Sequence, residues 1–322
     1  MMFAVLLASV ATWFALIARW HRGQALLEHE PRTPVPWGVP VALVAVVFVA
    51  FTLLTPAGDA APETPADANP FEISQRLIGV IFFQCVVIGG VLFVVAVVYR
   101  ASLRDLGLPV YAEELVRDIR IGIVAGLAAL APVYGVQLLM LYLFGPSKHP
   151  LVEMVISGEP NLGVVFLASI AAVVVAPVSE EILFRLLLQG WLEKFEHRWV
   201  RRPDEQPNDE SRMTNDESEA SNDSSFVIRH SSLEEPTSPL EPPPRSLAGL
   251  PYGWLPILIS SLLFALAHSG YGPDPIAIFL LAIILGYVFQ RTHRIVPCMV
   301  AHALFNSLAM LLLWRAVFLN AE

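Results

Sequence analysis

Residues 162–188 read LGVVFLASIAAVVVAPVSEEILFRLLL. The stretch is long enough to cross a bilayer as a helix, which takes about 20 predominantly apolar residues. It nevertheless carries Glu180, Glu181 and Arg185 toward one end. Ionisable groups in a spanning helix are costly, and they face the protein interior or a wet cavity. One stretch therefore predicts both a helical membrane protein and a polar site buried inside it.

Seven further apolar runs surround it, at 2–18, 39–55, 77–98, 121–144, 254–268, 275–290 and 296–314. Together they predict an all-α polytopic bundle of about eight transmembrane helices, with 254–268 and 275–290 the weakest spans. The first run lacks a basic leader and a small-residue cleavage site, so it reads as a span and not as a signal peptide. Of 322 residues, 55% are hydrophobic and only 15% charged, whereas a soluble domain has about 25% charged residues. The formal net charge of −9 offers no basic surface for nucleic acid. The lipid bilayer is the first partner implied. Two cysteines exclude a disulfide scaffold and a Cys-based zinc module. Cys85 and Cys298 lie in apolar runs and read as small buried hydrophobes.

Charge orders the loops. The stretches 19–38, 99–120, 189–202 and 291–295 hold 13 Lys and Arg, against 3 in 56–76, 145–161, 269–274 and the C-terminal tail. The positive-inside bias then puts both termini outside and the rich loops in the cytoplasm of a multi-pass cell-membrane protein. Residues 203–250 are acidic and rich in Ser, Pro, Asn and Glu. That composition cannot bury enough apolar surface to offset its ordering entropy, and it predicts a disordered cytoplasmic insertion. Residues 102–120 mix leucines with Arg and Glu and suggest short interfacial helices. The domain organisation expected is N-terminal anchor helices over 1–120 and a catalytic membrane domain over 121–322, interrupted at 203–250.

Within the spans, ionisable residues gather in the second half: Glu180, Glu181, Arg185, His268 and His302, with Asn306 one turn past His302. Spans one to four, within the bounds given, hold no Asp, Glu, Lys or His. At about 100° per residue, Glu180 and Glu181 leave the helix on different sides. Glu181 shares a face with Arg185 and can be neutralised by it, which leaves Glu180 free to act as a base. Two arrangements stay open. His302 and Asn306 can donate side by side to an oxyanion while His268 and Glu180 hold a water. Alternatively Glu180, His268 and His302 can ligate zinc, which commonly keeps three protein ligands and an open position. There is no His-Glu-x-x-His, no Gly-x-Ser-x-Gly and no intramembrane Asp pair.

Glu180-Glu181-Ile182-Leu183-Phe184-Arg185, Phe264-Ala265-Leu266-Ala267-His268 and His302-Ala303-Leu304-Phe305-Asn306 resemble, in order, the three motifs of a known membrane family. It is the CAAX prenyl endopeptidase and bacteriocin-processing family of intramembrane metalloproteases, also called Abi. The similarity covers roughly 160–314, and Gly286, Arg291 and Thr292 extend it. Leu186 stands where many members have Gly, and 203–250 separates the first motif from the second. The resemblance implies a conical intramembrane cavity in which a peptide bond is hydrolysed. Glu180 and His268 would activate the water, His302 and Asn306 would form the oxyanion hole, and Glu181 and Arg185 would support them. A metal such as zinc would be optional in such a site. The expected function is an intramembrane endopeptidase acting on a membrane-associated or peptide substrate. The alternative is a non-catalytic membrane scaffold or bacteriocin-immunity protein that keeps the cluster for binding. A transporter is disfavoured, since spans one to four lack polar pathway residues.

Overall fold

The computed structural model describes residues 2–54, 69–145, 161–200, 250–269 and 274–319. Of the insertion expected at 203–250, residues 203–249 lie outside the described residues. The regular secondary structure of the described residues is all helix, in eight rods. These are α1 (Met2–His21), α2 (Val39–Leu54), α3 (Pro70–Val97), α4 (Ala112–Phe144), α5 (162–200), α6 (Trp254–Ala267), α7 (Asp274–Thr292) and α8 (Ile295–Leu319). Six of them are long and apolar enough to cross a membrane. The short apolar ones are α2 and α6, with 16 and 14 residues. At 1.5 Å per residue these reach about 24 and 21 Å, short of the ~30 Å hydrocarbon core. The chain is thus a multi-pass helical membrane bundle.

Two boundaries differ from the sequence reading. Residues 112–120, expected among the interfacial helices, are the first turns of α4. Two of their carboxylates pair with Arg294. Arg294 Nε donates to Asp118 Oδ2 at 2.7 Å and Arg294 Nη2 to Glu114 Oε2 at 3.2 Å. The Glu114 carboxylate also accepts from the Val110 N–H at 2.8 Å, capping the helix start. Helix α5 likewise continues past 188, to Val200. Cys298 is buried as expected, whereas Cys85 is exposed on the outer face of α3, where an apolar thiol suits lipid.

Close packing of α8 along α4 sets the frame of the site. Gly122 and Gly126 make it feasible, being small residues four apart on one helix face. A Cβ at Gly122 would stand 2.6 Å from Val300 Cβ, and one at Gly126 would stand 2.8 Å from Leu304 Cδ2. Val300 and Leu304, the side chains met by these two glycines, bracket His302.

Helix α1 docks on α4 where Pro132 interrupts the backbone ladder. Proline has no N–H for the carbonyl four residues earlier, and its ring crowds that carbonyl. That carbonyl, Ala128 O, instead accepts Trp13 Nε1–H at 2.8 Å, and Ala131 N–H donates to Ser9 Oγ at 3.0 Å. Side chains of a neighbouring helix thus satisfy the freed groups, as an apolar environment demands.

The segment between α1 and α2 straps the ends of α5 and α7. Trp37 Nε1 donates to Leu187 O at 3.2 Å, and Lys194 Nζ donates to the carbonyls of Val35 at 2.7 Å and Trp37 at 2.9 Å. Arg291 Nε donates to Leu27 O at 2.9 Å. The Arg32 guanidinium lies over the Trp37 and Phe289 rings. Helix α2 itself packs on α5 and α6, with Phe48 edge-on to Phe184.

Candidate active site

Glu180 and Glu181 end a short α-helical piece, Ala176–Glu181, set between two π-helical segments of α5, Ala171–Val175 and Ile182–Gln189. Pro177 sits inside this piece. In the first π segment the Ala176 N–H bonds to Ala171 O, five residues back. The next carbonyl in that register, Ala172 O, would need the N–H of residue 177, which is proline. It accepts Asn306 Nδ2–H from α8 instead, at 2.8 Å. Asn306 therefore ties α8 to α5 at the break in the ladder, a partner the sequence reading did not foresee. The lone Pro177 in an apolar run was the available signal. Local widening of this kind is frequent at functional sites.

Glu181 and Arg185 are both fully buried and joined at 3.2 Å, Arg185 Nε donating to Glu181 Oε2. The other carboxylate oxygen, Oε1, faces His302 Nδ1 at 2.9 Å. A carboxylate can only accept, so His302 carries a proton on Nδ1 and turns Nε2 toward the rest of the site. The Arg185 guanidinium also lies over the Phe264 ring, at 5.2 Å from its centroid. Phe264 in turn stacks on His268 at 4.9 Å and meets His302 edge-on at 5.8 Å. The aromatic residue of the second motif is thus the wall against which the cation and both imidazoles rest.

Glu180 lies between the two imidazoles. Its Oε1 is 3.9 Å from His268 Nε2, and its Oε2 is 3.8 Å from His302 Nε2. His268 Nδ1 is 2.8 Å from Phe264 O. A carbonyl also only accepts, so the His268 proton is on Nδ1 and Nε2 is free in the neutral ring. The Glu180 carboxylate and the two Nε2 atoms converge across gaps too long for direct hydrogen bonds and suited to a bridging water. Glu180 and His268 keep 18% and 22% of their side-chain surface accessible, against none for Glu181 and Arg185. Of the two carboxylates, Glu180 is the accessible one.

Two imidazole nitrogens and a carboxylate are donors of the type zinc takes. As they stand, however, no group of three His, Cys, Asp or Glu side chains among the described residues has the arrangement of a metal site. The fit is therefore one of donor type and not of placement.

A family described as type II CAAX prenyl endopeptidase Rce1-like matches residues 243–308. Over this segment the chain is similar to the type II CAAX prenyl endopeptidases. The matched residues include Phe264, His268, His302 and Asn306, and the match agrees with the resemblance read from the motifs. It stops short of Glu180, Glu181 and Arg185, which the geometry joins to it. No curated protein and no solved structure matches the chain.

Three buried polar residues next to the site escaped the sequence reading. Arg185 Nη1 donates to Ser260 Oγ at 3.4 Å, and Ser260 Oγ lies 3.2 Å from Gln189 Oε1. Gln189 Nε2 donates to Gly286 O at 2.9 Å and to Glu193 Oε1 at 3.1 Å. The signal was present: Glu181, Arg185, Gln189 and Glu193 recur every four residues, one polar ridge along α5. Hydropathy hides the ridge, because the apolar run ends at Leu188, before Gln189 and Glu193.

Proposed function

We propose that the chain is an intramembrane endopeptidase that hydrolyses a peptide bond of a membrane-associated or peptide substrate. The single observation that carries this reading is Glu180, accessible and set between two imidazole Nε2 atoms whose Nδ1 sides are already engaged. A water held by Glu180 and His268 attacks the scissile carbonyl carbon. Its proton passes to the Glu180 carboxylate and then to the leaving amine nitrogen as the C–N bond breaks. His302, doubly protonated, donates Nε2–H to the oxyanion. The second N–H of Asn306 Nδ2, the one not bound to Ala172 O, is the other donor. Glu181 and Arg185 hold His302 in place. No step in this sequence requires a metal ion. By loop charge, the protein lies in the cell membrane with both termini outside and 203–250 in the cytoplasm.

One observation favours a second reading. Asn306 is already committed to a helix brace, as expected if the cluster only packs or binds, in a scaffold or immunity protein. The test is cleavage by the purified protein in detergent of prenylated and unprenylated membrane peptides, followed by mass spectrometry. Glu180→Gln keeps volume and hydrogen bonding but removes the base. It should stay folded and lose turnover by about 10²–10⁴-fold, the usual contribution of general acid–base catalysis. Wild-type turnover in that variant would sink the mechanism, and intact substrate with the unmodified protein would favour the scaffold.

A further inference from the structure

Arg185 is fully buried, and its Nη2 has no hydrogen-bond partner. Its fixed contacts are Glu181 through Nε, Ser260 through Nη1 and the Phe264 face. A guanidinium held by so few bonds depends on each for its orientation, because the planar fork aims all its donors at once. Ser260 thus bears directly on where Arg185 points.

The polarity of the chain behind Ser260 can be assigned. Both partners of Gln189 Nε2, the Gly286 carbonyl and the Glu193 carboxylate, can only accept. The amide nitrogen is therefore on that side, and Gln189 Oε1 must face Ser260. Ser260 has one proton and receives another from Arg185. It can give its own to Gln189 Oε1 at 3.2 Å or to Ile257 O at 3.1 Å. With the Ser260 proton on Gln189 Oε1, donation runs in one direction from Arg185 through Ser260 to Gln189 and on to Glu193. Gly286 holds the amide from behind: a Cβ there would stand 3.1 Å from both Gln189 Oε1 and Ile257 Cγ2.

We propose that Ser260 and Gln189 are positioning residues of this site: acting through Arg185 and Glu181, they fix the orientation and the Nδ1–H form of His302. The kinetic part of the proposal rests on the peptidase reading, and the spectroscopic part does not. Helix-to-helix hydrogen bonding alone would give the same contacts without any effect on His302.

The test uses the full chain in detergent with Ser260→Ala, Ser260→Thr and Gln189→Met. Each variant is followed by thermal unfolding, by kcat and KM on a peptide the unmodified protein cleaves, and by proton–nitrogen NMR of labelled histidine. The His302 signal is assigned by its loss in His302→Gln. For Ser260→Ala, kcat should fall about tenfold with KM nearly unchanged, the loss of roughly one hydrogen bond's worth of transition-state stabilisation. The His302 Nδ1–H resonance should shift or broaden, and Ser260→Thr, which keeps the hydroxyl, should restore both. Gln189→Met, similar in volume, should reproduce the Ser260→Ala spectrum even with a lower melting temperature. An unchanged His302 resonance in folded Ser260→Ala and Gln189→Met would overturn the proposal whatever happens to turnover. So would a fall in kcat that tracks melting temperature and is not rescued by Thr. If no peptide is cleaved at all, the peptidase reading fails, while the resonance still decides the positioning role.

Discussion

Asn306 Nδ2 donates to the Ala172 carbonyl at 2.8 Å, five residues before Pro177. A side chain expected only as an oxyanion donor is also a structural plug. Asn306→Ala should therefore act twice. Leaving the carbonyl unpaired in an apolar setting should lower stability by about 1–3 kcal/mol. Removing the oxyanion donor should lower turnover by about 10²–10³. Thermal unfolding and turnover of the same preparation separate the two, and a stability loss with normal kcat would take Asn306 out of the chemistry.

Metal dependence follows from the donor set of Glu180, His268 and His302. A strong chelator should leave turnover unchanged, because no proposed step needs an ion. Stoichiometric zinc in the purified protein, with activity that returns only on adding metal after chelation, would reverse this. Loss of such a metal should then track acidification, since imidazole ligands must be neutral.

The orientation inferred from loop charge is open to direct measurement. A reporter fused within 203–249 should read cytoplasmic, and one at Asp67 should read outside. The opposite pattern would invert the charge-based map.

His29, in the strap before α2, is held below its ordinary imidazole value of 6.5 by burial first, then by His293 and Arg291; Glu193 opposes them more weakly. The sign follows from linkage. The unfolded chain takes up the proton at about its ordinary value, while the folded protein resists it, so stability falls as pH drops below 6.5. Melting in detergent should decline from about pH 7 to 5, and His29→Gln should flatten the slope. An equally steep decline in the variant would assign the effect to other groups.

The apolar runs were enough to count the helices, because membrane length and hydropathy act on every residue of a span. They were poorer at helix ends. Glu114 and Asp118 look like a soluble edge until Arg294, far away in sequence, neutralises them. The cluster of Glu180, His268 and His302 was legible because few ionisable residues compete with it in the spans. What stayed hidden was how each member is held. The pairing of His302 with Glu181, of Asn306 with Ala172 and of Arg185 with Ser260 all cross between helices. No spacing within one helix encodes such a contact. The docking of Trp13 on Ala128 O is of the same sort: Pro132 signals a vacant acceptor but not which residue fills it.

The strap between α1 and α2 bears on biogenesis. A chain made from its N-terminus delivers Leu27, Val35 and Trp37 to the membrane long before α5 and α7 emerge from the ribosome. The late helices bring Lys194 and Arg291 to carbonyls already waiting. The early segment thus acts as a docking template for the half that bears the motifs. Supplied in trans, it should complement a chain that begins after α2, whereas that shortened chain alone should insert poorly and be cleared by the cell's quality control.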